Sequence, residues 1–83
     1  MERHQIKFSK RASKAYKKLP KSYKALIDNE LSKFETGLPI DIKPVSGKEN
    51  CYRIRAGKYR ILLLLIENLV IITDIGTRGD IYK

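Results

Sequence analysis

Arg53, Arg55 and Arg60 lie on either side of a Gly57-Lys58 dipeptide, and they are the residues of this chain best suited to chemistry on an anion. From Tyr52 to Ala56 the residues alternate, with Tyr52, Ile54 and Ala56 on one face of an extended strand and Arg53 and Arg55 on the other. Gly57-Lys58 reads as a tight turn into a second strand over residues 59–66, whose β-branched and leucine content suits burial on both faces. If the loop has two residues, Arg55 faces Arg60 and Arg53 stands a diagonal step away. A three-residue loop would turn Arg60 to the opposite face. Like charges directly opposite destabilise a sheet, so a sequence that keeps such a pair is expected to hold something negative with it. Phosphate is the natural candidate for forked guanidiniums.

The rest of the composition agrees with an anionic partner. Lys and Arg number 18 against 9 Asp and Glu in 83 residues, a net charge of +9, so a polyanion, or an acidic protein that covers the basic surface, is the expected partner. The plainer alternative is a solvated basic surface. Cys51 is the single cysteine and cannot form a disulfide within the chain; with one histidine it is too little for a zinc site. Neither a metal nor a small-molecule cofactor is expected, and the cytoplasm is the expected compartment. The apolar runs at 62–66 and 69–72 are interrupted by Glu67-Asn68 and fall short of the ~20 residues of a membrane span. The first ten residues are polar, with no apolar stretch of the kind a signal peptide carries. The length suits one domain covering residues 1–83.

The elements that must position the arginines follow from periodicity. Gln5–Phe8 is a short candidate strand with Ile6 and Phe8 on one face. Ser9 is a good N-cap for a helix to about Leu19, whose apolar positions Ala12, Ala15, Tyr16 and Leu19 recur at helical spacing. The opposite face, Lys10, Arg11, Lys14, Lys17 and Lys18, reads as a solvated helix face or as a direct nucleic-acid contact. Pro20 stops this helix; a second starts at Lys21-Ser22, buries Tyr23, Leu26, Ile27, Leu31 and Phe34, and ends near Thr36 with Gly37 as C′. Residues 38–50 carry two prolines, Gly47 and scattered charge, and read as an irregular connection. After the arginine hairpin, Glu67-Asn68 makes another turn into a strand over residues 69–75. The tail from Gly76 to Lys83 holds Arg78 between two glycines and Tyr82 next to the end, and is short enough to fold back beside the sheet. The expected fold is α+β: an N-terminal strand, an antiparallel two-helix hairpin, then a three-stranded antiparallel meander, with the helices packed on one face and the basic residues on the open one.

Read in order, Cys51-Tyr52-Arg53-Ile54-Arg55, Tyr59-Arg60-Ile61, Gly76-Thr77-Arg78 and the terminal Ile81-Tyr82 resemble the RelE/ParE superfamily of toxins from toxin–antitoxin systems. The resemblance covers essentially the whole chain and is greatest to the RelE branch, whose members cleave messenger RNA in the ribosomal decoding site without a metal. It implies that Arg53, Arg55, Arg60, Arg78 and Tyr82 occupy the family's active-site positions, and that a cognate antitoxin neutralises the protein. Two features depart from the pattern: Arg53 and Arg55 stand where RelE itself often has lysine, and the chain stops at Lys83 where some relatives add a C-terminal helix. A guanidinium stays protonated in proteins, so Arg53 and Arg55 do not serve as proton acceptors.

RNA cleavage of this kind uses the ribose 2′-hydroxyl as nucleophile on the adjacent phosphate. Arg55 and Arg60 would hold that phosphate and stabilise the added charge, Arg53 would help to position the strand, and Arg78 would stabilise or protonate the departing 5′-oxygen, with electrostatics favoured because a guanidinium is a poor acid. Tyr82 would act on the 2′-hydroxyl, stack a base, or simply pack on the sheet edge. His4 reads as a surface residue near the terminus, and Cys51 as a small core residue. Two other readings stay open on the same fold: a ParE-like gyrase inhibitor without nuclease activity, and a basic nucleic-acid-binding module.

Overall fold

The hydrophobic periods translate into a five-stranded mixed sheet covered on one face by two helices. The computed structural model describes residues 5–77. In chain order the elements are β1 (Gln5–Phe8), α1 (Lys10–Lys17), α2 (Lys21–Thr36), β2 (Ile42–Pro44), β3 (Cys51–Ala56), β4 (Tyr59–Ile66) and β5 (Leu69–Thr77). The strands lie in the order β1-β5-β4-β3-β2. The β3-β4-β5 meander is antiparallel as expected, while β1 joins β5 in parallel at one edge.

Local chemistry explains where the helices begin and end. The Ser9 hydroxyl accepts a hydrogen bond from the Ala12 N–H at 3.1 Å, which satisfies one of the orphan donors of the first turn of α1. Pro20 precedes α2 as its N-cap without a side-chain hydrogen bond. Gly37 closes α2 at φ +80°, where a residue with a Cβ is strained. The Leu38 N–H then donates to the Lys33 carbonyl at 2.8 Å and the Gly37 N–H to the Phe34 carbonyl at 3.3 Å, the paired bonds of a Schellman ending. The two helices are tied by the Tyr16 hydroxyl, which donates to both carboxylate oxygens of Asp28 at 2.8 and 3.0 Å. That hydrogen bond, with burial and the carboxylate's charge behind it, holds the Tyr16 phenol above its ordinary pKa.

The core lies between the helices and the inner face of the sheet. Ala12, Ile27, Ile54, Ile61, Leu63, Val70 and Ile72 are fully buried there, with Leu31, Ala56 and Ile75 nearly so. The absence of bulk at Ala12 lets α1 settle closely on β5. Two expectations need correction. Residues 38–50 are not wholly irregular: Ile42–Pro44 forms the edge strand β2 against β3, with Ile42 opposite Ile54 and Pro44 opposite Tyr52. Nor is β4 buried on both faces. Ile61 and Leu63 are buried, but Leu62 and Leu64 are only half-buried and Ile66 is exposed, because both helices occupy the other side of the sheet.

A bulge in β5 re-aims its last residues. Leu63 pairs with Ile72 and Leu62 with Asp74, so Thr73 is the extra residue on the bulged strand. Its hydroxyl donates to the Leu62 carbonyl at 3.2 Å, and its own carbonyl accepts from the Ser9 hydroxyl at 3.1 Å. The N-cap of α1 therefore also satisfies the bulge. After it the inward parity shifts from Val70 and Ile72 to Ile75, which is buried, and Gly76 comes to lie opposite Arg60.

The β3–β4 turn brings backbone close to α2. Gly57 has φ +62°, and a Cβ built on it would lie 3.0 Å from the Leu26 side chain of α2. Gly57→Ala is therefore expected to destabilise the fold by roughly 1–2 kcal/mol from the left-handed backbone alone, a fall in melting temperature of about 4–8 °C for each kcal/mol. Thermal denaturation followed by circular dichroism measures it, and an unchanged melting temperature would show that the turn relaxes freely.

Candidate functional site

The turn decides the register of the arginines. Ala56 pairs with Tyr59, which leaves Gly57-Lys58 as a two-residue loop, so Arg55 stands directly opposite Arg60 and Arg53 stands opposite Leu62 one row further on. A positive φ at the first loop residue alone is the II′ pattern, whose twist matches that of the flanking strands. The loop is clasped to α2 by aromatic rings. Tyr23 and Tyr59 meet edge to face with centroids 4.8 Å apart, and the Lys58 ammonium lies 5.0 Å from the Tyr23 ring centre and 5.7 Å from that of Tyr59. This clasp grips the core-facing side of the hairpin. The arginines project from the other side.

Three of the five site residues expected from the sequence thus come together on the sheet face that carries no helix. Arg55 is exposed and Arg60 half-buried. Neither makes an ion pair among the described residues, and Arg60 turns back to donate to the Tyr59 carbonyl at 3.3 Å. Opposite Arg60, on β5, is Gly76, which contributes no side chain to crowd the guanidinium. Arg78 and Tyr82 lie outside the described residues, as do His4 and the remainder of the tail.

A further residue, Asp41, joins this group. The pairing of β2 with β3 continues one residue beyond Ile42, because the Arg55 N–H donates to the Asp41 carbonyl at 2.9 Å. Asp41 therefore stands across from Arg55 at the end of the row that runs on to Arg60 and Gly76. Its carboxylate oxygen Oδ1 lies 3.8 Å from Nη1 of Arg53. The signal that could have found it is Ile40-Asp41-Ile42-Lys43 between Pro39 and Pro44, an apolar–polar alternation with both isoleucines packed against the core.

Basic residues do not line the whole open face. Rows set by strand pairing run Lys43, Arg53, Leu62, Asp74, and then Cys51, Leu64, Ile71, Lys7. The half near the β3–β4 turn is cationic, whereas the other half is apolar, with Leu62, Leu64, Leu69 and Ile71 half-buried and Ile66 exposed. Cys51 is buried, as expected of a small apolar residue, but it lies on this face and not in the helix-side core. On α1, Lys10, Arg11, Lys14, Lys17 and Lys18 are all exposed, and Arg11 Nε reaches Asp74 Oδ2 at 3.3 Å. Among the described residues no cluster of three or more His, Cys, Asp or Glu forms a ready set of metal ligands, and no helix is long and apolar enough to cross a membrane.

Comparison with known proteins places this geometry. Residues 6–82 match the family model for the ParE toxin of type II toxin–antitoxin systems. A Methanocaldococcus jannaschii chain that carries the provisional name toxin RelE1 is 31% identical across 94% of this chain and 93% of its own length. The crystal structure of the RelB–RelE antitoxin–toxin complex from Methanococcus jannaschii matches with a TM-score of 0.78 and 29% identity, over 90% of this chain and 93% of that one. The E. coli DinJ–YafQ toxin–antitoxin complex shares the fold, with a TM-score of 0.82 over 99% of this chain and all of the other (100%) at 15% identity. With its hairpin and arginine row inside the matched span, the chain belongs to the RelE/ParE family of toxins from type II toxin–antitoxin systems.

Proposed function

We propose that this toxin is a messenger-RNA endoribonuclease that acts with the ribosome and needs no metal or other cofactor. The observation that carries the reading is the Arg55–Arg60 couple, two residues that make no ion pair among the described residues and stand opposite one another on a helix-free sheet face with Arg53 beside them. In the reaction the ribose 2′-oxygen forms a bond to the adjacent phosphorus, the bond from phosphorus to the 5′-oxygen breaks, and the products are a 2′,3′-cyclic phosphate and a free 5′-hydroxyl. The phosphate oxygens gain charge on the way. Preorganised guanidiniums aimed at that charge stabilise it more than they stabilise the starting phosphodiester, which is the condition for catalysis. Arg55 and Arg60 hold the phosphate, Arg53 positions the strand, Arg78 stabilises the departing oxygen, and Tyr82 completes the site by contacting the sugar or stacking a base. The messenger reaches them in the ribosomal decoding site, in the cytoplasm.

A cognate antitoxin neutralises the protein, and the apolar half of the same sheet face suits it. Apolar Leu62, Leu64, Leu69 and Ile71 beside Lys7, Lys43 and Arg53 fit a segment that is both amphipathic and acidic. The ParE family match favours a second reading, a gyrase inhibitor without nuclease activity. Cleavage and supercoiling assays separate the two.

Three outcomes test the proposal. Arg60→Ala is expected to lower cleavage of ribosome-bound message by 10²-fold or more, the usual scale for losing one such donor, with mapped 5′ ends disappearing and the fold intact; a variant that cuts like the parent, or a parent that blocks gyrase and leaves RNA whole, would refute it. Arg55→Gln removes a like-charge contact that costs up to about 1 kcal/mol, so it is expected to melt at the same or a higher temperature and to lose activity on a similar scale. Added phosphate should stabilise the parent more than this variant, since an anion that binds only the native site shifts folding by mass action. Finally, Leu64→Lys is expected to weaken antitoxin binding at least tenfold by calorimetry, and binding by the parent should show a negative heat-capacity change; undiminished affinity would move the antitoxin elsewhere.

A further inference from the structure

The arginine cluster can hold and stabilise a phosphodiester, yet it contains nothing that takes a proton: at neutral pH guanidinium groups are donors only. We propose that Asp41 is the proton acceptor of this site, a role that rests on the nuclease reading above. The inference stands on position. Asp41 is across from Arg55, with the Arg55 N–H on its carbonyl at 2.9 Å, and side chains of residues directly opposite in an antiparallel pair share a face, with Cβ atoms about 5 Å apart. Arg60 is the next residue along the same row. A phosphate gripped by Arg55 and Arg60 therefore has a carboxylate on its β2 side, where the ribose that carries the attacking 2′-hydroxyl can lie.

The environment of the carboxylate favours this role. Arg53 holds it from the side, Nη1 to Oδ1 at 3.8 Å, while the Asp41 side chain keeps 45% of its surface open to a ligand. Carboxylates are ionised at neutral pH and so are ready to accept. Among the described residues the other acid on this face is committed elsewhere: Asp74 Oδ2 pairs with Arg11 at 3.3 Å, its Oδ1 accepts from the Ile75 N–H at 2.9 Å, and its side chain is only 16% exposed. In the step itself the 2′-hydroxyl proton passes to the Asp41 carboxylate as the 2′-oxygen bonds to phosphorus, and the 5′-oxygen leaves with the electrons of its broken bond and takes a proton from solvent. Asp41 then returns its proton to water. Charge balance is kept throughout.

The test is single-turnover cleavage of ribosome-bound message by the full chain across pH, for the parent, Asp41→Asn and Asp41→Glu. Among the described residues the charged groups that face Asp41 are Arg53 and Arg55 on β3, Arg60 on β4 and Lys43 on its own strand, and none of them loses charge in the acid range. The parent rate should rise with pH at the acid end and then level off. Asp41→Asn should lower the maximal rate by about 10²-fold or more, the scale of a general base, abolish the acid limb and leave the apparent affinity for ribosomes within about threefold. Asp41→Glu should recover part of the rate and the limb. A variant Asp41→Asn that loses affinity but keeps the parental rate and limb would mean that Asp41 only positions Arg53, and equal activity would place the base on the ribosome; either result overturns the proposal and leaves the nuclease reading standing. A parent that cuts nothing overturns both. Melting temperature and antitoxin binding of each variant confirm that the comparison is made on folded protein.

Discussion

Everything at the candidate site depends on the number of residues between Ala56 and Tyr59. With two, the side-chain period of the strand puts Arg55 and Arg60 on one face; with one more, every residue of one strand would turn over relative to the other. The structure enforces two in several independent ways. Gly57 takes a left-handed φ that a substituted residue resists, a Cβ there would lie 3.0 Å from the Leu26 side chain, and the Tyr23-Lys58-Tyr59 cluster fastens the loop to α2. The core side of the hairpin adds Ile54, Ala56, Ile61 and Leu63, all buried, which a slip would expose to water. Each of those side chains contributes on the order of 1.5–3 kcal/mol when fully buried, apart from the smaller Ala56. That sum outweighs a repulsion between two arginines of at most about 1 kcal/mol. The like-charge pair is tolerated because the register is over-determined.

The second organising feature is the link between Ser9 and Thr73. Ser9 caps α1 and at the same time donates to the spare carbonyl of the β5 bulge. One side chain thus seats the first helix and stabilises the residue that shifts the parity of β5. That shift sends Ile75 into the core and places Gly76 opposite Arg60. The cationic end of the sheet is therefore shaped from both sides, by a turn on β3–β4 and by a bulge on β5.

How much of this could be read from the chain follows from range. The hairpin, the Ser9 cap and the Gly37 ending are local: each is written in a few neighbouring residues with a specific geometric need, and each appears as expected. What escaped is non-local. A run such as Ile61-Leu62-Leu63-Leu64-Leu65-Ile66 looks the same whether one face or both are covered, and only the placement of α1 and α2 on one side decides that Leu62 and Leu64 stay half-open. The strand Ile42–Pro44 has three residues, and Pro39 before it and Pro44 at its end outweigh the short Ile40–Lys43 alternation and argue for a loop; it exists because β3 offers it an edge. The parallel pairing of β1 with β5 and the extra residue Thr73 have no signature in their own segments. Asp41 had only the short Ile40–Lys43 alternation to mark it, and a single acid there gains its meaning from the strand it pairs with.

That acid changes the electrostatics of the site. Arg53, Arg55 and Arg60 carry three positive charges, and the carboxylate of Asp41 offsets one of them from the side of Arg53, not from between Arg55 and Arg60. Among the described residues the pair left without an ion pair is the one that stands across the strands. Asp41 therefore does not relieve the repulsion at the centre of the cluster; its carboxylate lies beside Arg53 at 3.8 Å and leaves Arg55 and Arg60, which make no ion pair among the described residues, to fork onto the same anion. In the empty protein those two repel through water, where screening keeps the cost small. Once an anion excludes that water, the same two charges act on it at a lower effective dielectric, and their attraction for it grows. The arrangement is thus cheap to maintain and strong when filled, which a cluster neutralised on every side could not be.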